Sequence, residues 1–161
     1  MIYGLPFAIP RTAEWLREKL DLRGQHQIRA VLRGLERSCD ARLVVLWASE
    51  GYTSKHVVDF YGDDAVLPPE LPDLASSVPS REVVQDKHGE EHDAVVFKIR
   101  VGKEVPTLGL AIVVPGVEEA APLFDAVEAA GEQVESIIVD AVDRTRPVGA
   151  QRRARRVRAE D

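Results

Sequence analysis

The sequence predicts an α+β fold in which a single antiparallel β-sheet is flanked by an N-terminal and a C-terminal helix. Two observations predict this class: a helical apolar pattern precedes a series of strand patterns, and a second, longer helical pattern follows them. The chain has 161 residues, of which 45% are hydrophobic and 30% are charged. This length and composition are typical of one globular domain with one hydrophobic core.

The first helix is predicted from the spacing of its apolar residues. A short helix capped by Thr12 is expected to stop at Gly24, and an amphipathic helix then runs from Gln25 to Cys39. Its apolar positions follow the helical repeat and are Ile28, Val31, Leu32, Leu35 and Cys39. We therefore expect one face of this helix to be buried.

Five strands are predicted after this helix. Residues 43–47 are continuously apolar, which is typical of a strand covered on both faces, and residues 56–61 should pair with them as a hairpin. A short strand is predicted at residues 81–85. Residues 95–101 and 108–114 alternate between apolar and other side chains and form the strongest hairpin pattern. Gly109 and Ala111 share one face of the last strand, where something is expected to pack closely.

Two irregular segments separate the strands. Residues 62–80 contain four prolines and little periodicity, so they predict a long excursion with at most a short helical turn near residues 71–76. Residues 86–93 predict a charged turn in which Gly89 is available for a positive φ. Long excursions in small domains often carry function.

A C-terminal helix of about 25 residues is predicted after residue 116. It carries a seam of apolar residues spaced four and three apart, which are Leu123, Val127, Ala130, Val134, Ile137 and Ala141. A helix packed on its own sheet and a coiled coil with a second chain explain this seam about equally well. We expect a homodimer formed through the first helix and this seam.

Charge divides the chain into three parts. Residues 43–143 carry six basic and twenty acidic groups, whereas the segments before and after them are both net positive. The predicted domain limits are an arm with a short helix at residues 1–24, the folded domain at residues 25–143 and a basic tail or linker at residues 144–161. The tail contains Arg152, Arg153, Arg155, Arg156 and Arg158. The negative charge of residues 43–143 argues against nucleic-acid binding outside this tail.

The order of elements resembles a GAF domain over residues 25–142. The passage at residues 28–47 is similar to the first helix of such domains entering the first strand through a small polar corner. Residues 96–114 resemble their last hairpin, with a glycine one residue into an apolar strand, and residues 123–142 match their terminal signalling helix. PAS domains share the general sheet but usually place helices between the second and third strands, so the GAF resemblance is preferred.

The resemblance implies a cavity between the sheet and the excursion, in which some relatives bind small molecules. The matching region gives a candidate ligand pocket of Tyr52, His56, Phe60, Tyr61 and Glu82. The residue pattern of the cyclic-nucleotide binders is absent, since the chain has no asparagine, and the cysteine that attaches bilins in phytochrome relatives has no counterpart. The identity of any cofactor or ligand is therefore left unknown.

The sequence contains few features of a catalytic or metal-binding protein. Glycine-rich phosphate loops and the Gly-x-Ser-x-Gly motif are missing. Cys39 is the one cysteine of the chain, and thiol–disulfide exchange within one chain needs at least two. We expect Cys39 to be a small buried apolar residue. His88 and His92 could converge on a metal if they lay on a helix, but Gly89 and the nearby charges favour a solvated turn. We predict no catalytic residue and no metal site.

These observations predict a non-catalytic sensory or regulatory GAF-like domain, dimeric, that relays a small-molecule or protein signal through its terminal helices to a partner protein or output domain. The alternative is an interaction module that binds protein or nucleic acid through the basic tail. The apolar runs are too short to span a bilayer, and no signal peptide is recognisable, so a cytoplasmic location without membrane contact is expected.

Overall fold

The computed structural model describes residues 18, 20–50, 54–74, 78–101, 107–115 and 120–144. The helices are α1 (Leu22–Cys39) and α2 (Ala120–Arg144), and a 3₁₀ turn spans Asp64–Val66. The strands are β1 (Leu43–Glu50), β2 (Ser54–Gly62), β3 (Ser80–Gln85), β4 (Glu91–Ile99) and β5 (Thr107–Val114). No helix in these ranges is long and apolar enough to cross a membrane.

The five strands form one sheet in the order β2-β1-β5-β4-β3, and every neighbouring pair is antiparallel. Both predicted hairpin pairings are present, since β1 pairs with β2 and β4 pairs with β5. The predicted α+β class with a single antiparallel sheet and flanking helices is confirmed. β2 and β3 are the two edges of the sheet.

β1 is buried on both faces, as its continuous apolar sequence predicts. Successive strand residues point to opposite sides of a sheet. Val44, Leu46 and Ala48 belong to the core cluster that contains the buried residues of α1 and α2. We call that face the helix side. Leu43, Val45 and Trp47 belong to a second core cluster that includes Val66 and Leu71, and we call that face the loop side.

α1 begins earlier than the sequence predicts, because Gly24 lies inside the helix and does not end a preceding one. Asp21 is the N-cap, and its carboxylate accepts a hydrogen bond of 2.8 Å from the backbone N–H of Gly24. A Cβ on Gly24 would lie 3.0 Å from Cδ2 of Leu20, a buried residue. The glycine therefore makes room for Leu20 at the start of the helix.

The helical turn of the excursion also lies elsewhere than predicted. It spans Asp64–Val66, where the Asp63 carboxylate accepts a hydrogen bond of 3.0 Å from the backbone N–H of Ala65. Residues 71–74 are not helical, and residues 75–77 lie outside the described ranges. The turn directs Val66 into the loop-side core.

Two glycines mark close packing on the two sides of the sheet. A Cβ on Gly109 of β5 would collide with the indole of Trp47, which confirms the close approach predicted for this face of the last strand. On the helix side, a Cβ on Gly131 of α2 would collide with the ring of Phe97 of β4. Trp47 is fully buried, so the absence of a side chain at Gly109 is a packing requirement.

Two predictions concern residues that lie mostly outside the described ranges. They are the short helix after Thr12, of which residues 18 and 20–24 are described, and the basic tail, of which only residue 144 is described. The limits at residues 1–24, 25–143 and 144–161 remain predictions.

Candidate functional site

A cleft of about 1140 Å³ lies between the excursion and the edge strand β3. One wall is formed by residues 69–73 and the other by residues 82–86, with Lys55 of β2 and Glu91 of β4 completing the lining. Leu71 and Val84 lie at its base and belong to the loop-side core. The cleft is therefore an open surface feature with an apolar base.

Lys55 of β2 links the sheet to the cleft wall formed by residues 69–73. Its Nζ donates a hydrogen bond of 2.9 Å to the backbone carbonyl of Leu71 and forms an ion pair with the carboxylate of Asp73. The Lys55 side chain is 19% exposed, whereas Asp73 is 85% exposed. A half-buried cation held by a backbone carbonyl and a carboxylate gives this wall a defined position.

The cleft is strongly acidic. Lys55 is the only cation in its described lining, which also contains the five carboxylates of Glu70, Asp73, Glu82, Asp86 and Glu91. Glu70, Glu82 and Glu91 are exposed, and none of them forms an ion pair within the described residues. Such a surface attracts amine, guanidine or metal cations and repels anions.

A buried acid–base pair closes one end of the cleft. Oδ2 of Asp86 lies 3.0 Å from Nε2 of His92, and their side chains are 4% and 8% exposed. Oδ1 of Asp86 accepts backbone hydrogen bonds from His88 and Glu90, at 2.8 and 3.1 Å. The His92 hydrogen bond, with smaller contributions from these two N–H groups, lowers the pKa of Asp86 to about 2 despite the opposing effect of burial.

Asp86 begins the turn between β3 and β4, which is shorter than the predicted turn at residues 86–93 because β4 starts at Glu91. His92 therefore lies on β4 and is buried, whereas a solvated turn was predicted for it. Gly89 has φ +79° and donates its N–H to the carbonyl of Asp86. Asp86, Glu90 and His92 bring potential metal-ligand atoms within 4.8 Å of one another, whereas His88, the other histidine considered for a metal, is exposed and outside this group. Both Asp86 oxygens already accept hydrogen bonds. The cluster is therefore best explained as a set of hydrogen bonds that stabilise the turn, and not as a metal site.

The candidate pocket residues do not share one cavity. Phe60 packs on the loop side and Tyr61 on the helix side, because adjacent strand residues face opposite ways. His56 is exposed, Glu82 lines the cleft, and the side chain of Tyr52 lies outside the described residues. Lys55 and Asp73 were missed, since no spacing rule connects a strand lysine to an aspartate 18 residues later.

The space between sheet and excursion is filled with apolar side chains over the described residues. Trp47, Val66 and Leu71 meet there and are buried, and Leu67 and Leu74 pack against them. The indole nitrogen of Trp47 is buried and has no hydrogen-bond partner within the described residues. The interior cavity implied by the GAF resemblance is replaced at this place by a packed core.

The predicted dimer seam requires a correction. All six seam residues belong to the helix-side core, with Val127, Ala130, Val134 and Ala141 buried and Leu123 and Ile137 half-buried. The four buried residues pack within this core, so they cannot at the same time face a second copy. The predicted helix and its apolar face are both present, but that face packs against the core of the same chain.

Cys39 is less buried than predicted. It is half-buried at the end of α1, where burial raises the pKa of its thiol. A raised thiol pKa lowers the fraction of reactive thiolate at neutral pH.

The chain was compared with known proteins. No protein-family model matches it, and no curated protein matches its sequence. Among solved structures, it is similar to the crystal structure of the GAF domain of a protein described as a sensor histidine kinase from Pseudomonas syringae pv. tomato. The two chains are 12% identical, with a TM-score of 0.48 over 92% of this chain and 94% of the other. The neighbour belongs to the family that the sequence resembles.

Proposed function

We propose that this chain is a non-catalytic sensory or regulatory GAF-like domain, dimeric, which binds a cationic small molecule or a basic peptide segment in the acidic cleft. The observation that supports this most directly is the cleft lining, in which Lys55 is outnumbered by five carboxylates. Three of these carboxylates, Glu70, Glu82 and Glu91, are exposed and form no ion pair within the described residues, so they can bind a cation.

The fold offers a physical route from this cleft to the C-terminal helix. β3 forms one wall of the cleft and pairs with β4 along residues 80–85. On the other side of β4, the ring of Phe97 packs against Gly131 of α2 so closely that no side chain fits between them. A shift of β3 and β4 on binding would therefore press on α2, which is the relay we propose.

Binding can be measured by titrating the protein with an arginine-containing hexapeptide while following backbone amide resonances of β3. Glu82→Gln and Glu70→Gln should each weaken binding about two- to fivefold, as expected for exposed ion pairs. Glu128→Gln on α2 is the matched control and should leave affinity unchanged, since Glu128 is also exposed but lies outside the cleft. Equal binding of a glutamate-containing hexapeptide would refute a cleft selective for cations.

The relay has a separate readout. Saturation with the arginine peptide should change hydrogen-exchange protection in α2, and Phe97→Leu should reduce that change while peptide affinity stays within about twofold. If the hydrogen-exchange protection of α2 does not change when the wild-type protein binds the peptide, the proposed relay is refuted, but the proposed binding site is not. Phe97→Leu retains apolar volume, so we expect the variant to fold.

A further inference from the structure

A groove of about 580 Å³ lies on the helix side of the sheet, between the start of α1 and the edge strand β2. Its base is formed by Leu20, Ile28 and Val58, which all belong to the helix-side core. Leu22 also lines the groove and is 67% exposed, the highest value among the large apolar side chains of the described residues. The groove therefore joins a buried apolar base to an exposed apolar side chain.

The polar residues of the described lining give the groove no net formal charge. Nε and Nη2 of Arg29 donate hydrogen bonds of 3.0 and 2.6 Å to the carboxylate of Asp59, so the cation and the anion pair with each other. The Gln25 side chain donates a hydrogen bond of 3.0 Å to the backbone carbonyl of Leu20, and His26 is exposed. An uncharged, apolar occupant fits such a lining, because an added charge would lose hydration without gaining a partner.

The first ten residues of the chain, which we call the N-terminal segment, have this chemistry. Seven of the ten are apolar, the other three are glycine and proline, and none has a charged side chain. Pro6 and Pro10 have no backbone N–H, so they cannot donate to a strand ladder. Such a segment gains most by burying its side chains against an apolar surface.

The position of Leu20 brings the N-terminal segment within reach of the groove. Residue 18 is helical, and Leu20 itself forms part of the groove base. Residues 11–19, nine in number, separate the segment from Leu20. They span about 14 Å if all are helical and about 30 Å if all are extended. The groove follows α1 from Leu22 to Arg29, a length of about 10 Å, so the segment can reach it in either case.

We propose that the N-terminal segment docks in this groove of its own chain and links α1 to the edge strand β2. The segment is tethered to Leu20, so its effective concentration at the groove is in the millimolar range, which favours it over the same segment of a second copy. Docking covers the exposed Leu22 and shields the edge of the sheet. The groove and the acidic cleft lie on opposite sides of the sheet, so this proposal does not depend on the function proposed above.

A spin label on the N-terminal segment tests the docking. Ala8→Cys in a Cys39→Ser background gives the full chain a single thiol for a nitroxide, because Cys39 is its one cysteine. The same chain is isotopically enriched at the methyl groups of leucine, isoleucine and valine. We expect the methyl signals of the four apolar groove residues to lose most of their intensity through paramagnetic broadening. The methyl signals of Val84, on the loop side, should keep theirs.

Polar substitutions separate docking from proximity alone. Leu22→Ser in the groove and Phe7→Ser in the segment should each reduce the broadening at Ile28 and Val58, because each removes an apolar contact. Phe7→Leu should keep the broadening, since it retains an apolar side chain. Val83→Ser is the matched control for Leu22→Ser and should leave the broadening unchanged, because Val83 is 60% exposed but lies on β3. Both residues are exposed, so we expect these variants to fold.

A mixed sample identifies the chain that supplies the segment. Spin-labelled chain without isotopes is mixed with an equal amount of enriched chain without the label. The mixture should show full methyl intensity, and broadening in it would identify a second copy as the occupant and overturn the proposal. Full intensity in the singly labelled and enriched chain would overturn docking altogether. Broadening that Leu22→Ser and Phe7→Ser both leave unchanged would also overturn it.

Discussion

The contact between Gly109 and the indole of Trp47 makes Gly109→Ala a direct test of the loop-side core. A Cβ at this position would overlap the indole, which is fully buried and has little room to shift. Overpacking of this kind costs about 1–3 kcal/mol of unfolding free energy. For a chain of this size, that loss corresponds to a fall in Tm of about 3–10 °C.

The loss of unfolding free energy caused by Gly109→Ala should depend on the size of the residue at position 47. Trp47→Phe destabilises the protein by itself because it leaves a cavity, but the smaller ring lacks Cζ2, one of the three indole atoms that would meet the new Cβ, and has room to shift. In a double-mutant cycle measured by urea unfolding and circular dichroism, Gly109→Ala should therefore cost about 1–2 kcal/mol less in the Trp47→Phe background.

Gly34→Ala on α1 is the matched control for this substitution. Gly34 is exposed, and nothing lies within 4 Å of a Cβ built on it. The alanine should stabilise the protein by up to about 1 kcal/mol through its higher helix propensity. The reasoning is refuted if Gly109→Ala is neutral or stabilising, or if its cost is the same beside Trp47 and beside Phe at that position.

Two further predictions concern Asp86 and the basic tail. The depressed pKa of Asp86 contributes stability above its ordinary value of 3.8, and this contribution is lost as the pH falls towards about 2. The Asp86→Asn variant should therefore show a smaller loss of unfolding free energy than wild type over that range in acid titrations followed by circular dichroism, with Asp64→Asn as an exposed control. Deletion of residues 150–161 should leave Tm within about 2 °C, because a short terminal charge block adds little to the core. Loss of nucleic-acid or protein binding on that deletion would support the alternative function through the tail, and unchanged binding would exclude it.

The sequence determines the strands and the core more clearly than the ends of the elements. The run at residues 43–47 predicts a strand buried on both faces, and Gly109 predicts a close approach, because each depends on side-chain size in a strand of known period. The start of α1 was predicted wrongly because a glycine is typical of a helix end. The Asp21 cap and the packing of Leu20 override that preference at Gly24.

The candidate functional residues were harder to predict than the strands, and the physical reason differs between the apolar seam and the cleft. An apolar seam on a helix shows that one face is buried but not whether the sheet or a partner covers it, so the four buried residues between Val127 and Ala141 were assigned to the wrong neighbour. The cleft depends on Lys55 reaching Asp73 and on the turn around Asp86, which are contacts between distant or irregular residues. Such contacts have no periodic signal in a single sequence.

Packing on the loop side favours a surface site over an interior one. A ligand placed between sheet and excursion would have to expose Val66 and Leu71, both buried against Trp47. Re-exposing two such side chains costs about 3–6 kcal/mol. That penalty weakens the apparent affinity of an interior ligand by a factor of about 10² to 10⁴. A cation in the proposed site would meet Glu70 and Glu82 at the surface without exposing Val66 or Leu71, so it would avoid this penalty, and Lys55 would keep the excursion in place while β3 shifts.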